Sequence, residues 1–273
     1  MSQNDCNFQQ QRHLQQRYGL SLRAGYSTCT NFACGKLALA PFFEVGAGEY
    51  NTFNIYTLRD FGGNVVENNA VNGRGKINYY GGGLLTKFHL ADGLYYDSSL
   101  RVGGLDMNYA SADLSNLTGV EARYDMTSMY AGLHVGMGRE WSISNNTSLD
   151  IYGKYYFQHL TGGTVYIGGD SIEFSGINSN RFRWGGRANR AVRQYLNGYL
   201  GAAWEHEFSG TARASIDEYT LGSLSLRGDT GIGEVGLTWK RTPTMPLHID
   251  LGVQGYTGKR EGIAANLQTR WER

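Results

Sequence analysis

Three aspartates and three histidines, Asp97, Asp150, Asp250, His134, His159 and His248, are the residues of this 273-residue chain that could be arranged as a Ser-His-Asp hydrolase. The glycine-flanked strand-to-helix turn that would present the nucleophile is lacking, and histidines are common in loops and wet channels, so the sequence predicts no enzyme. Gly81-Gly82-Gly83 has the composition of a phosphate loop but not its following lysine and helix, and reads as tight strand curvature. Cys29 and Cys34 flank a short turn, where a local disulfide in an oxidising compartment and two unpaired thiols both fit; zinc lacks ligands at the right spacing, and Cys6 is left over. No metal, cofactor or small-molecule substrate is predicted. The densest polar cluster is Arg181, Arg183 and Arg187, with Glu205 and Glu207 on the next segment. Such a cluster could grip a polypeptide passing through a pore, and its simpler account is cross-strand charge compensation inside a wet lumen.

These side chains need elements to hold them, and the elements are strands. From residue 232 to 271 the apolar residues fall on every second position: Val235, Leu237 and Trp239, then Leu247, Ile249, Leu251 and Val253, then Ile263, Leu267 and Trp271. That is the period of a strand with one greasy and one wet face. The composition agrees, with Gly 39, Tyr 19 and Pro 3, as expected of many tightly turned aromatic strands. Basic and acidic residues number 25 and 24, so no bulk field draws the chain to nucleic acid. No run of about 18 apolar residues occurs, which excludes a transmembrane helix but not a membrane barrel.

Along the chain the first clear strand starts at Tyr18, and Met1 to Arg17 is polar, Gln-rich and without the apolar core of a secretory signal. The expectation is a C-terminal piece of a longer exported precursor, or a product short at its start. Pro41, unable to donate to a ladder, is expected near a strand start or bulge. Strands recur through the hairpin turn at Asp92-Gly93 and the turn Ser144-Asn145-Asn146. Four stretches without defensible periodicity, 49–76, 106–123, 161–179 and 210–229, are expected to be long loops, with Thr164 to Ile167 able to extend a strand. About eleven strands result, and short connections alternate with long ones. Bacterial outer-membrane barrels share that alternation and have even strand numbers, so a twelfth strand before Tyr18 is missing or degenerate.

A soluble barrel also alternates, but here the apolar phase carries no charge in the centre of any strand. Arg101, Lys154, Arg181, Arg183, Arg187, Glu205, Glu234 and Asp250 all fall on the other phase. A basic side chain facing lipid costs ~2–4 kcal/mol at the midplane, whereas a wet lumen tolerates it. Residues 18–273 are therefore expected to form an all-β, transmembrane, antiparallel up-and-down barrel of about 11–12 strands, with 1–17 as a polar N-terminal segment. Val235, Leu237, Trp239, Leu247, Ile249, Leu251, Val253, Ile263, Leu267 and Trp271 would face lipid. Tyr18, Tyr96, Trp141, Trp204, Trp239 and Trp271 would sit at the interfaces.

Four segments carry a family resemblance: Tyr79-Tyr80-Gly81-Gly82-Gly83-Leu84-Leu85, Gly93-Leu94-Tyr95-Tyr96-Asp97, Leu200-Gly201-Ala202-Ala203-Trp204-Glu205-His206-Glu207-Phe208, and Gly252 through Gly262. In order and spacing the chain resembles the C-terminal translocator domain of autotransporters, the barrel of type V secretion. The resemblance implies a twelve-stranded outer-membrane barrel, plugged by a helix, that anchors and exports an N-terminal passenger polypeptide; a porin-like or adhesin-type barrel without a passenger is the alternative. It also implies a final aromatic residue read by the barrel-assembly machinery, where this chain ends Trp271-Glu272-Arg273, so Arg273→Phe is expected to raise the yield of folded barrel.

Overall fold

Side chains that alternate between two faces, joined by tight turns at every second connection, fold into a continuous meander in which each strand pairs with its predecessor. The computed structural model describes residues 9–59, 64–115, 121–167, 169–216, 219–220, 223–240, 242 and 246–271. Cys6, Pro243 and Arg273 lie outside the described residues.

The strands of the first half are β1 (Gln9–Gly25), β2 (Thr28–Phe32), β3 (Gly35–Arg59), β4 (Val65–Leu90), β5 (Leu94–Ser115), β6 (Glu121–Ser144) and β7 (Thr147–Leu160). After β8 (Gly163–Ile167) and β9 (Asp170–Phe174) come β10 (Ile177–Arg193) and β11 (Leu196–Glu207). Four short pieces follow, β12 (Thr211–Ala212), β13 (Ala214–Ile216), β14 (Tyr219–Thr220) and β15 (Leu224–Ser225), before β16 (Gly228–Trp239), β17 (Leu247–Gly258) and β18 (Gly262–Trp271). The main sheet runs β1-β3-β4-β5-β6-β7-β10-β11-β16-β17-β18, with β2 continuing the β1 lane along β3. It is antiparallel throughout and curls into an open barrel of eleven lanes. Among the described residues β1 and β18 are paired on one side only, and every residue of β18 is exposed.

With the short turns at the bottom, β1 and β18 both descend. The two edges are thus parallel to each other, and a single strand rising between them would pair antiparallel with both. Pro41 lies within β3, not at its start: it stands beside the Tyr26-Ser27 break that separates β1 from β2, and its carbonyl accepts from the Tyr26 N–H at 3.2 Å. The lane is interrupted at the level where proline has no proton to give. Gly93 closes the β4–β5 turn at φ 86°. Cys29 stands opposite Ala38 while Cys34 sits in the turn just before Gly35, and both are exposed with free thiols, the second of the two arrangements that fit the sequence.

The stretches expected as loops are largely strand. β3 and β4 pair from Gly35↔Leu90 up to Arg59↔Val65, β5 and β6 pair as far as Ser115↔Glu121, and β1 begins at Gln9, nine residues before Tyr18. Segment 161–176 supplies β8 and β9, which with β13 and β14 make a small four-stranded sheet, and β12 pairs with β15. The tall part of β3–β6 obeys a reversed polarity. Lower down, Phe43, Val45, Leu84, Leu100, Leu133 and Val135 are exposed on the outer face. Higher up, that same phase carries Glu49, Lys76, Asn78, Asp106, Asp125 and Arg123, and the inner phase becomes Tyr50, Val71, Met107, Tyr109, Tyr124 and Met126. Tyr50, Tyr109, Tyr124 and Phe174 stack in succession with ring centroids 6.4, 5.6 and 5.6 Å apart. Val165 of β8 is buried against this inner face, and burial, with Tyr50 and Tyr109 adding to it, pushes the Tyr124 hydroxyl up.

Candidate functional site: the charged inner wall

Lumen-facing positions alternate with outer ones, so the register alone brings particular charges side by side. On β10 and β11, Arg183 stands opposite Glu205 and Arg181 opposite Glu207. Arg183 donates from Nε and Nη2 to Glu205 Oε2 at 2.9 and 2.7 Å, and Arg181 reaches both acids at 3.8 and 3.7 Å. Glu205 is among the most deeply buried side chains, 1% exposed, and Arg260 pairs with its Oε1. Glu207 also accepts from the Ser179 hydroxyl at 2.5 Å and the Asn180 backbone N–H at 2.8 Å. Burying a carboxylate this far is tolerable only with such donors around it.

Arg187 does not join that cluster. It stands opposite Gly201 and reaches across it to Glu234 on β16, donating at 2.6 and 3.0 Å, while Gln254 donates to the same acid at 3.0 Å. A Cβ on Gly201 would lie 2.5 Å from Glu234 Oε1, so only glycine leaves the passage open. The device recurs. Gly136 lies between Asp97 and Lys154, which meet at 2.5 Å, and Gly103 and Gly81 together lie between Tyr130 and Glu44, whose hydroxyl and carboxylate meet at 2.8 Å. Arg23 completes Glu44 at 2.9 Å.

The remaining candidates part company. Asp97 and His134 come together, Nε2 to Oδ1 at 3.3 Å. Asp150 accepts instead from Tyr95 at 2.9 Å, and Asp250 from Thr238 at 2.6 Å and Tyr199 at 3.2 Å. His159 is engaged with Asn178 on the outer phase at 2.7 Å, and His248 lines a cavity of about 420 Å³ with Arg187, Tyr199, Asp250, Asn266 and Arg270 at the lower end of the lumen. No cluster of metal-ligating residues is found among the described residues.

Tyr156 ties the two halves of the wall together. Its ring stacks on His134 with centroids 5.1 Å apart and lies under Arg181 and Arg183 at 5.5 and 5.4 Å. The outcome is a band of paired charges along the inner face. The sequence did not identify Arg260, Glu44 or Tyr130 as members; the signal was available in the inward-phase glycines standing opposite charged residues.

The outer phase behaves oppositely. Val235, Leu237, Trp239, Leu251, Val253, Ile263, Leu267 and Trp271 are exposed and Leu247 and Ile249 half-exposed, as are Leu20, Leu200 and Trp184 on other strands. Tyr18, Tyr96, Trp141 and Trp204 are exposed too.

The model of one protein family, the autotransporter β-domain, matches residues 50–252. Among solved structures, the transport unit of the autotransporter AIDA-I from Escherichia coli is similar over 98% of this chain and 86% of that one, at 15% identity and a TM-score of 0.60. The β domain of the Bordetella autotransporter BrkA aligns over 96% and 94% at 14% identity and a TM-score of 0.61. The translocator domain of NalP from Neisseria meningitidis aligns over 95% and 86% at 10% identity and 0.58. No curated protein sequence matches.

Proposed function

This chain belongs to the autotransporter β-domain family, and from that premise we propose that it spans the bacterial outer membrane as a translocator that anchors and exports an N-terminal passenger. The observation that carries the reading is the division of the wall: a continuous belt of exposed Leu, Val, Ile and Trp outside, and paired charges inside. In water such a belt is far larger than the apolar patches soluble proteins expose; in lipid it is the buried surface. Its height agrees. From Gly231, at the level of Trp204, to Trp239 is eight residue steps along β16, about 27 Å of strand, which a tilt of ~40° brings to ~21 Å against an expected apolar band of ~25 Å.

A strand rising between β1 and β18 would supply the twelfth lane and make the barrel even-numbered. The alternating charges of the lumen, most of them paired within the wall, offer a polypeptide a wet and weakly adhesive channel. Val235, Leu237, Trp239, Leu247, Ile249, Leu251, Val253, Ile263, Leu267 and Trp271 face lipid, and the last strand is the part offered to the barrel-assembly machinery.

The test is surface display. A reporter domain is placed upstream behind a signal peptide, and added protease is used to probe intact cells. Cleavage of the reporter with the barrel heat-modifiable in outer-membrane fractions supports export. A folded barrel with the reporter held inside would leave the porin-like alternative.

A further inference from the structure

We propose that Ser99, His134 and Asp97 form a nucleophilic site in the lumen wall, able to transfer the acyl group of an activated ester to Ser99 and hydrolyse it. Export does not require it, and the proposal stands independently of any passenger. Ser99 lies directly opposite His134 in the β5–β6 register, and its Oγ is 3.2 Å from His134 Nδ1. Asp97, two residues earlier on the same face, places Oδ1 3.3 Å from the other ring nitrogen, Nε2. Asp97 Oδ1 and His134 Nε2 are both buried, and among the described residues neither has a hydrogen-bond partner. A buried donor and a buried acceptor left without partners are costly, and these two stand within reach of one another.

Lys154 holds the other oxygen, Oδ2, at 2.5 Å and so fixes the carboxylate with Oδ1 turned to the ring. With the imidazole proton on Nε2, facing Asp97, Nδ1 is the acceptor for the Ser99 hydroxyl. That is the polarity a serine nucleophile requires, with the base oriented by a third group.

Glycines on the inner face make room for these side chains. His134 is flanked on the inner face by Gly132 and Gly136, opposite Arg101 and Asp97, and both of those side chains lie across the glycines. The backbone N–H groups of a paired strand are committed to the ladder, so a developing oxyanion must be met by a side chain. Arg101 is the neighbouring cation on the Ser99 face, and its contacts are long, Gln158 at 3.4 Å and Glu44 at 3.9 Å, leaving it able to turn. Without a backbone oxyanion hole the site suits good leaving groups, hence esters in preference to peptide bonds. In the step, Oγ attacks the carbonyl carbon as its proton passes to Nδ1. The ester C–O bond then breaks and the alcohol departs with that proton. Water, deprotonated by the same nitrogen, releases the carboxylic acid and restores Ser99.

The full chain, folded in detergent and verified by heat-modifiable migration, is treated with a fluorophosphonate probe and assayed with p-nitrophenyl acetate. The expected result is a phosphonyl adduct on Ser99 by peptide mass spectrometry, absent from Ser99→Ala. His134→Asn should slow ester turnover about 100-fold, the lower end for a lost general base, with part of the rate restored by added imidazole. Ser98→Ala, whose hydroxyl instead meets Thr86 at 2.6 Å, should behave as the parent. Absence of a Ser99 adduct on folded barrel overturns the proposal, as does labelling that His134→Asn leaves unchanged or turnover that imidazole does not restore.

Discussion

Glu205→Gln removes one charge and almost no volume, and it should be among the more damaging single changes in the barrel. The parent carboxylate takes two bonds from Arg183 at 2.9 and 2.7 Å and one from Arg260, with Arg181 at 3.8 Å. Gln keeps one acceptor oxygen and turns an NH₂ donor towards guanidinium donors. Breaking a buried ion pair costs ~3–5 kcal/mol, and bonds to charged groups contribute ~1.5–3 kcal/mol each. The three arginines keep 18–30% of their side chains accessible to water, which relieves part of that penalty. The expected loss is therefore ~3 kcal/mol, read as a lower urea midpoint with unchanged slope in lipid vesicles. Arg183→Gln alone should cost ~2 kcal/mol, and the double variant less than the sum by ~1–2 kcal/mol, since one unpaired charge is removed with its partner. An unchanged midpoint for Glu205→Gln, or strict additivity of the pair, would refute the claim that the acid holds this part of the wall together.

Leu251→Arg, on the outer phase, should lose ~2–4 kcal/mol and its heat-modifiable migration, whereas Gln268→Arg on the inner face of β18 should retain it. Asp250→Arg is no neutral control, because Asp250 accepts from Thr238, Tyr199 and Asn266. Gly201→Val should force Glu234 away from Arg187 and cost ~1–3 kcal/mol by overpacking, measured by the same urea titration. Asp113 accepts from the Asn72 backbone N–H at 2.7 Å and from its side-chain amide at 2.9 Å, and these bonds hold its carboxyl below the usual aspartate range. The stability they lend is present above the unfolded value and is lost as pH falls through the folded one, so the Asn72 amide resonance should titrate at an acidic midpoint below that of an ordinary aspartate.

The lower barrel was legible because one face of each strand meets a single kind of solvent. Val235, Leu237 and Trp239, or Leu247 to Val253, announce their phase in a run of a few residues, and the hairpin at Asp92-Gly93 announces its turn. The tall parts of β3–β6 look like loops in the sequence for two reasons. Their outer phase turns from Val45 and Tyr80 to Glu49 and Lys76 at the level where the inner phase turns aromatic, so a window across that level averages to nothing. Their strand character also rests on backbone pairing with neighbours, which no local propensity reports. Arg181, Arg183, Glu205 and Glu207 were found together because adjacent strands align them. Arg187 groups with Glu205 and Glu207 in the sequence, whereas the acid it meets, Glu234, lies two lanes away across Gly201, and a residue without a side chain leaves no trace in a pattern of polar and apolar letters.

The change of polarity partway up β3–β6 acts on the whole molecule as a waterline. Slipping a single residue along one of these strands would turn the greasy side inward below that level and outward above it, so the two halves would object together. A slip of two residues keeps each side chain on its proper face, yet shifts the level by ~7 Å. That would sink Asn78 and Asp106 into hydrocarbon, or lift Tyr80 and Val102 out of it. The barrel therefore has one depth at which it floats. Because β3–β6 run to 22–26 residues and β16–β18 to only 10–12, the rise above that level belongs to one side of the sheet.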